Sequence, residues 1–193
     1  MGKIKVISAV ENGVMLLEPA KFTDRRGYFM ESYNRSDLAA IGIVNDFVQD
    51  NESFSTYGVV RGLHFQAMPY TQAKLVRVIR GRIWDVVVDI RRNSPDFGKV
   101  FSTELSGENH RQFYIPRGFA HGFSVLSDEA IFAYKCDNFY MPSHQRGIAF
   151  DDPDLGIDWH VDCKECILSD KDKRNPLFRE AELLDYENKE PML

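Results

Sequence analysis

The chain has 193 residues, 44% of them hydrophobic and 27% charged, with 13 glycines and 8 prolines; this is enough for one domain with a sizeable core and excludes disorder, collagen-like repeats and coiled coil. Its 24 Lys and Arg against 29 Asp and Glu leave a net charge of −5, which argues against nucleic acid or an anionic membrane as partner; an anionic ligand must be met by a local group of cations. Three cysteines give no disulfide framework and fit a reducing, cytoplasmic setting.

In chain order, the opening MGKIKVISAV lacks an apolar run of signal-peptide length, and Val6 stands where a myristoylation pattern needs Ser or Thr. Ser36 is placed to cap a short helix through Asp37-Leu38-Ala39-Ala40 that stops at Gly42. From Ser53 to Cys136 the chain reads as strands: Lys74–Ile79, Ile83–Ile90, Gln112–Ile115, Phe123–Leu126 and Ala130–Lys135. Turn signals separate them at Arg80-Gly81, Ser94-Pro95, Ser106-Gly107, Pro116-Arg117-Gly118 and Ser127-Asp128. Alternation is partial in Val76–Ile79 and Ile83–Val86, the pair joined across Gly81, which predicts one face in the core and the other lining a cavity. Asp85 breaks the most apolar stretch, Ile83–Ile90, so no membrane span is expected. A second helix is expected over Glu180–Tyr186. The pattern predicts one all-β sandwich or barrel domain trimmed with short helices.

Of the five histidines, His64 in Arg61-Gly62-Leu63-His64-Phe65-Gln66 and His121 in Pro116-Arg117-Gly118-Phe119-Ala120-His121 interrupt strand-like runs, whereas His110, His144 and His160 lie beside turn signals and read as surface residues. The Cys163-x-x-Cys166 pair has no second cysteine or histidine pair at zinc-like spacing and reads as two incidental cysteines near a surface turn. Pro116-x-Gly118-x-x-His121 resembles the second motif of the cupin superfamily of double-stranded β-barrels. Metal-dependent cupins have His-x-His and a carboxylate in their first motif; here Gln66 takes the second histidine's position and no acid follows closely. The resemblance therefore implies a cupin working without metal or other cofactor.

A closer resemblance runs from Phe22 to Asp172. Phe22-x-Asp24-x-Arg26-Gly27-x-Phe29-x-Glu31, Phe47-Val48-Gln49-Asp50-Asn51-x-Ser53, Arg61-Gly62-Leu63-His64-Phe65-Gln66, Lys74–Val78, Ile115-Pro116-x-Gly118-Phe119-Ala120-His121-Gly122-Phe123, Tyr134-Lys135-Cys136, Gly147-Ile148 with Asp152-Pro153, and Leu168-Ser169-x-Lys171-Asp172 together resemble the dTDP-4-dehydrorhamnose 3,5-epimerase family. What this implies is an all-β jelly-roll (double-stranded β-helix, cupin) barrel over 1–193. An N-terminal arm of about residues 1–50 is partly shared with the other subunit of a homodimer, and a C-terminal extension covers about 173–193. The implied substrate is dTDP-4-dehydro-6-deoxy-D-glucose, inverted at C3 and C5 to dTDP-4-dehydro-β-L-rhamnose. Both carbons lie α to the C4 ketone, so the chemistry needs a base, a stabiliser for the enolate oxygen and an acid on the opposite face.

The resemblance assigns His64 as base and Asp172 as the carboxylate that orients it; Asp170 stands two positions away and could share that face. Lys74 is assigned to enolate stabilisation, His121 to hydrogen bonding near O4, and Tyr134 to the acid, with neighbouring cations such as Lys74 expected to lower its pKa. Arg26, Arg61 and Lys171 are assigned to the nucleotide or its phosphates, and Glu31, Gln49, Asp50 and Asn51 to the base and its sugar. Tyr140 is assigned to thymine stacking. The segment from Arg26 through Phe29 to Glu31 is implied to reach in from the neighbouring subunit. Gln145 falls where the family often places a carboxylate that contacts substrate, Phe150-Asp151-Asp152-Pro153 replaces Trp-Asn-Asp-Pro, and Trp159-His160 replaces Trp-Pro. Two competing readings are an epimerase acting at one carbon of a related nucleotide-linked keto sugar, and a non-catalytic cupin that binds a sugar nucleotide. A metal-dependent cupin oxygenase or isomerase is a third.

Overall fold

A computed structural model describes residues 4–185. The strands are β1 (Ile4–Ala9), β2 (Met15–Pro19), β3 (Lys21–Asp24), β4 (Gly27–Met30), β5 (Gln49–Thr56), β6 (Val60–Gln66), β7 (Lys74–Arg80), β8 (Arg82–Asp89), β9 (Val100–Ser106), β10 (Gln112–Ile115), β11 (Phe119–Val125), β12 (Glu129–Cys136) and β13 (Gln145–Gly147). The helix α1 (Arg35–Ala40) separates β4 from β5, and short 3-10 turns occupy Pro142–His144, Asp172–Arg174 and Phe178–Glu180. Among the described residues no helix is long and apolar enough to cross a membrane.

A six-stranded sheet ordered β1-β2-β10-β7-β12-β5 faces a five-stranded sheet ordered β13-β6-β11-β8-β9. From β5 onward the chain passes from one sheet to the other at almost every turn, keeping one sheet only through the β8–β9 hairpin. This winding is the double-stranded β-helix, or jelly roll, that the sequence resemblance implied. The consecutive strands β7 and β8 thus lie in facing sheets. Gly81 makes that crossing at φ +80°, where a Cβ would stand 2.0 Å from the Glu129 carbonyl oxygen, so a residue without a side chain is required.

Three apolar clusters account for the burial. The first fills the space between the sheets and includes Val76, Val78, Ile83, Val87, Phe123 and Phe132. The second covers the outer face of the five-stranded sheet, where Val86, Val88 and Ile90 pack under Trp159, Phe178 and Leu184 from the C-terminal segment. The third lies on the six-stranded sheet, with Leu17, Leu75 and Tyr114 under Leu38 and Ile43. Covering β8 on both faces explains its partial alternation. The expected division of one face for core and the other for cavity is corrected accordingly: Lys74, Val76 and Val78 alternate onto the inner face of β7, and cavity and core divide that face along its length.

Three local expectations are also corrected. Asn34 caps α1, its side-chain oxygen accepting from Ser36 N and Asp37 N at 3.0 and 3.3 Å; Ser36 lies inside the helix. Over Glu180–Tyr186 the described part forms only the end of a 3-10 turn and an irregular stretch pinned by a bridge from Leu184 to Arg91; Tyr186 lies outside the described residues. His110 is buried and packs against Tyr28 with ring centres 4.7 Å apart and ring planes tilted by 51°, whereas His144 is half-buried against Tyr70 and His160 is exposed.

The hairpin β3–β4 pairs only with itself. Phe22, Tyr28 and Phe29 are 50%, 56% and 60% exposed on it, a large aromatic surface for a two-stranded ribbon that is at best marginally stable alone.

Candidate active site

One end of the barrel interior opens into a cavity of about 270 Å³ whose walls include His64, His121, Lys74, Tyr134, Cys136 and Gln66. Opposite sheets supply the titratable groups: His64 on β6 and His121 on β11 belong to the five-stranded sheet, where they are register partners, while Lys74 on β7 and Tyr134 on β12 belong to the six-stranded sheet.

His64 reaches the cavity because β6 runs close against β11 at Gly62. There φ is +125°, and a Cβ would lie 2.6 Å from Gly122 Cα and 2.8 Å from the His121 carbonyl oxygen. Both atoms are backbone and cannot give way. Gly62→Ala is therefore expected to cost about 2–5 kcal/mol from strain and overpacking, read as a lowered midpoint in urea unfolding together with lost turnover; an unchanged midpoint would contradict the close approach.

Behind the ring, His64 Nε2 lies 2.5 Å from Asp172 Oδ1, and the Asp172 side chain is 4% exposed. Burial pushes the Asp172 carboxyl up, but hydrogen bonds and charge from His64, the Ser169 hydroxyl and the Gly62 backbone together hold it below the usual carboxylate range. The ionised carboxylate places the imidazole hydrogen on Nε2 and leaves the Nδ1 lone pair to accept a proton. Asp170 does not share this position: its side chain is almost fully exposed and lies 3.9 Å from Lys173. Ser169 Oγ accepts from Asp172 N at 3.1 Å, so Asp172 both opens the Asp172–Arg174 turn and binds His64.

His121 is anchored by a residue that sequence reasoning left unassigned. Its Nε2 lies 3.0 and 3.1 Å from the two oxygens of Asp85, which is fully buried. Burial pushes the His121 pKa down and the Asp85 pKa up, with each partner opposing the other's shift. Asp85 was visible in the sequence as the acid interrupting the apolar run Ile83–Val88.

Burial likewise pushes Lys74 down, against the charges of Cys136 and Asp85. Tyr134 is pushed up by burial, with Cys136 and Tyr140 adding to the shift and Arg61 opposing it. The expectation that Lys74 lowers the tyrosine pKa is thus corrected: the Lys74 ammonium stands 5.9 Å from the ring centre, Arg61 is the cation acting on the phenol, and burial outweighs it.

The rim of the cavity carries the polar residues. Gln49 and Asn51 line it and hydrogen-bond each other at 2.9 Å, and Gln49 Oε1 accepts from Tyr140 N at 3.0 Å. Arg61 donates to Ser55 Oγ at 3.0 Å and to the Phe54 carbonyl at 3.3 Å. Gln145 Oε1 accepts from Tyr140 Oη at 2.5 Å and from Lys171 Nζ at 2.6 Å, joining three residues at the mouth. Gln66 is tied to the Tyr70 and Phe139 carbonyls and to Met141 N, so it braces the wall. Asp50 is a correction: strand alternation turns it away from Gln49 and Asn51, and its carboxylate accepts from Lys135 Nζ at 2.7 and 2.8 Å outside this cavity. Arg26, Phe29 and Glu31 do not reach the cavity of their own chain. Arg26 pairs with Asp24 at 2.6 Å on the exposed hairpin, and Glu31 Oε2 is buried without a partner among the described residues. Nor do those residues contain a group of three or more His, Cys, Asp or Glu arranged to hold a metal ion.

The sequence pattern of the family described as dTDP-4-dehydrorhamnose 3,5-epimerase matches residues 10–180. The enzyme of that name from Methanothermobacter thermautotrophicus is 49% identical over 181 residues, covering 93% of this chain and 97% of the relative. Among solved structures, dTDP-6-deoxy-D-glucose-3,5-epimerase from Legionella pneumophila in complex with dTDP-4-keto-L-rhamnose superposes with a TM-score of 0.88 at 46% identity, covering 92% and 94% of the two chains. A 3'-monoepimerase from Streptomyces bikiniensis in complex with dTDP-quinovose superposes at 0.82 with 33% identity, covering 90% and 88%. With the jelly roll in place and both termini of the match lying outside the cavity-bearing strands, the chain belongs to the dTDP-4-dehydrorhamnose 3,5-epimerase family.

Proposed function

We propose that the chain inverts C3 and C5 of dTDP-4-dehydro-6-deoxy-D-glucose to give dTDP-4-dehydro-β-L-rhamnose. The observation that carries this reading is the placement of His64 and Tyr134 on facing sheets around one cavity, because inversion requires a proton to leave one face of a ring carbon and another to arrive from the opposite face. His64 Nδ1 takes the C–H proton, and Asp172 stabilises the imidazolium through Nε2. The electron pair passes to O4. A buried ammonium of lowered pKa is a stronger hydrogen-bond donor, which suits Lys74 to the enolate. Asp85 fixes the His121 ring through Nε2 at 3.0 and 3.1 Å, which suits His121 to hydrogen bonding at O4. Tyr134 delivers its proton to carbon, and Arg61 stabilises the phenolate that results. The proposed reaction uses no metal or cofactor.

Arg61 and Lys171 at the mouth suit the diphosphate, Gln49 and Asn51 the nucleoside, and Tyr140 the thymine face. The double inversion is favoured over inversion at one carbon by the 49% identity to a 3,5-epimerase against 33% to a 3'-monoepimerase. Proton NMR in heavy water tests it: both C3 and C5 are expected to incorporate deuterium, and exchange at C3 alone would establish the single-carbon reading instead.

The chain acts as one domain, in the cytoplasm, within a homodimer. The hairpin carrying Arg26, Phe29 and Glu31 crosses to the partner's cavity, which supplies a covering for aromatic rings that its own chain leaves exposed. Co-expression of Arg26→Ala/Phe29→Ala chains with His64→Asn chains is expected to restore activity to up to about half of the sites in mixed dimers, because one site then combines an intact cavity with an intact hairpin. No recovery in isolated mixed dimers would refute the exchange.

A further inference from the structure

The turn from Asp162 to Cys166 lies outside the cavity, and the proposed reaction does not use it. Asp162 organises it: its carbonyl accepts from Glu165 N at 2.9 Å and its carboxylate from Lys164 N at 3.0 Å. The Cys163-x-x-Cys166 pair flanks this turn, with Cys163 close enough to act on the Cys166 thiol. Cys163 Sγ also faces the Val161 carbonyl at 3.8 Å and Cys166 Sγ the Asp162 carbonyl at 3.7 Å. Cys163 is exposed, Cys166 is half-buried, and the remaining cysteine, Cys136, is buried. Downstream the segment is fixed, with Ile167 N donating to the Gly58 carbonyl at 2.9 Å and the Ile167 carbonyl accepting from Val60 N at 3.0 Å.

We propose that Cys163 and Cys166 form a dithiol modification site that closes to an intramolecular disulfide by exchange with a small disulfide such as oxidised glutathione. A disulfide needs Cα atoms about 4.4–6.8 Å apart, and the two sulfurs already face the carbonyls of adjacent residues, Val161 and Asp162. Accessibility sets the order of events. The exposed Cys163 thiolate attacks the small disulfide, forming a mixed disulfide and releasing one thiolate. Cys166 is held back at first, because burial and the neighbouring Cys163 push its thiol up to about 12; once Cys163 is capped, the second of these influences is gone. The Cys166 thiolate then attacks the Cys163 sulfur, the protein disulfide forms, and the second small thiolate leaves. Two electrons pass from the protein dithiol to the small disulfide, and the two thiol protons go to the released thiolates.

The test uses full-length protein treated with excess oxidised glutathione and followed by intact and peptide mass spectrometry. A product lighter by about 2 Da is expected, with Cys163 linked to Cys166 and Cys136 still a thiol. Cys166→Ser is expected to stop at a stable glutathione adduct on Cys163, and Cys163→Ser to form no ring. Reduced wild-type protein is expected to bind one equivalent of phenylarsine oxide, which needs two thiols at once, and each serine variant none. Both variants are expected to keep their epimerase turnover and unfolding midpoint, which separates loss of the site from loss of the fold. Wild-type protein that keeps both thiols free, that carries a stable adduct without closing, or that binds the arsenical no better than the variants would overturn the proposal.

Discussion

His64→Asn is expected to lower turnover of dTDP-4-dehydro-6-deoxy-D-glucose by about 10²–10⁴-fold, the range general-base loss commonly gives, while dTDP affinity by calorimetry stays within about threefold of wild type. Asparagine is the informative substitution because the carboxylate behind His64 is almost inaccessible to water. Alanine would leave Asp172 buried without its main partner and would confuse lost chemistry with lost stability. The asparagine amide can donate to the carboxylate but cannot take up a carbon-bound proton. The nucleotide contacts proposed for Arg61, Gln49, Asn51 and Tyr140 lie at the mouth and are untouched. Deuterium wash-in at C3 and C5 should vanish together with turnover, since both exchanges begin at the same base. Turnover near the wild-type value would remove His64 from that role, and lost dTDP binding would assign it to recognition. A cupin that only binds sugar nucleotides is discriminated by the same measurement, because it shows no turnover to lose.

Much of the fold is written in local chemistry. Short β-branched runs and the turns between them mark β7, β8, β10, β11 and β12 to within a few residues, because strand periodicity and turn preferences act over short distances. That β7 and β8 lie in facing sheets is not local: alternation tells which side chains share a face, not which strand lies beside them. The His64–Asp172 contact spans 108 positions and was legible only through the family motifs that carry both residues. Asp50 shows the reverse case. Its motif placed it in the site, while the period-two rule applied to Gln49-Asp50-Asn51 already turned it the other way. Asp85 drew notice only as an interruption of an apolar strand, since nothing in its neighbourhood names a histidine 36 residues away as its partner. His110 beside a turn read as a surface residue, and its burial under Tyr28 depends on where the β3–β4 hairpin lies, a long-range placement. The pKa of Tyr134 was misjudged for the same reason: the sequence shows nearby cations but not how thoroughly the phenol is withdrawn from water.

Tyr134→Phe is expected to separate proton removal from inversion. His64, Asp172 and Lys74 all remain, so the enolate still forms, but the phenolic hydroxyl that faces His64 from the six-stranded sheet is gone. The imidazolium then returns a proton to the face from which it came, after exchange with solvent. Substrate recovered from heavy water should therefore carry deuterium with its configuration retained, while formation of the inverted product falls by about 10²–10⁴-fold. Phenylalanine preserves the ring that packs against Phe132 at 5.5 Å between centres, so the fold and dTDP affinity are expected to hold. The raised pKa of Tyr134 adds a constraint on the wild-type enzyme. Burial keeps the phenol protonated past its ordinary pKa of about 10, so loss of this acid cannot account for any fall in activity between neutral pH and about pH 9. Inversion by Tyr134→Phe at the wild-type rate would exclude the tyrosine as the proton donor. Loss of deuterium exchange along with product would instead place Tyr134 in enolate formation, on the same side of the mechanism as Lys74.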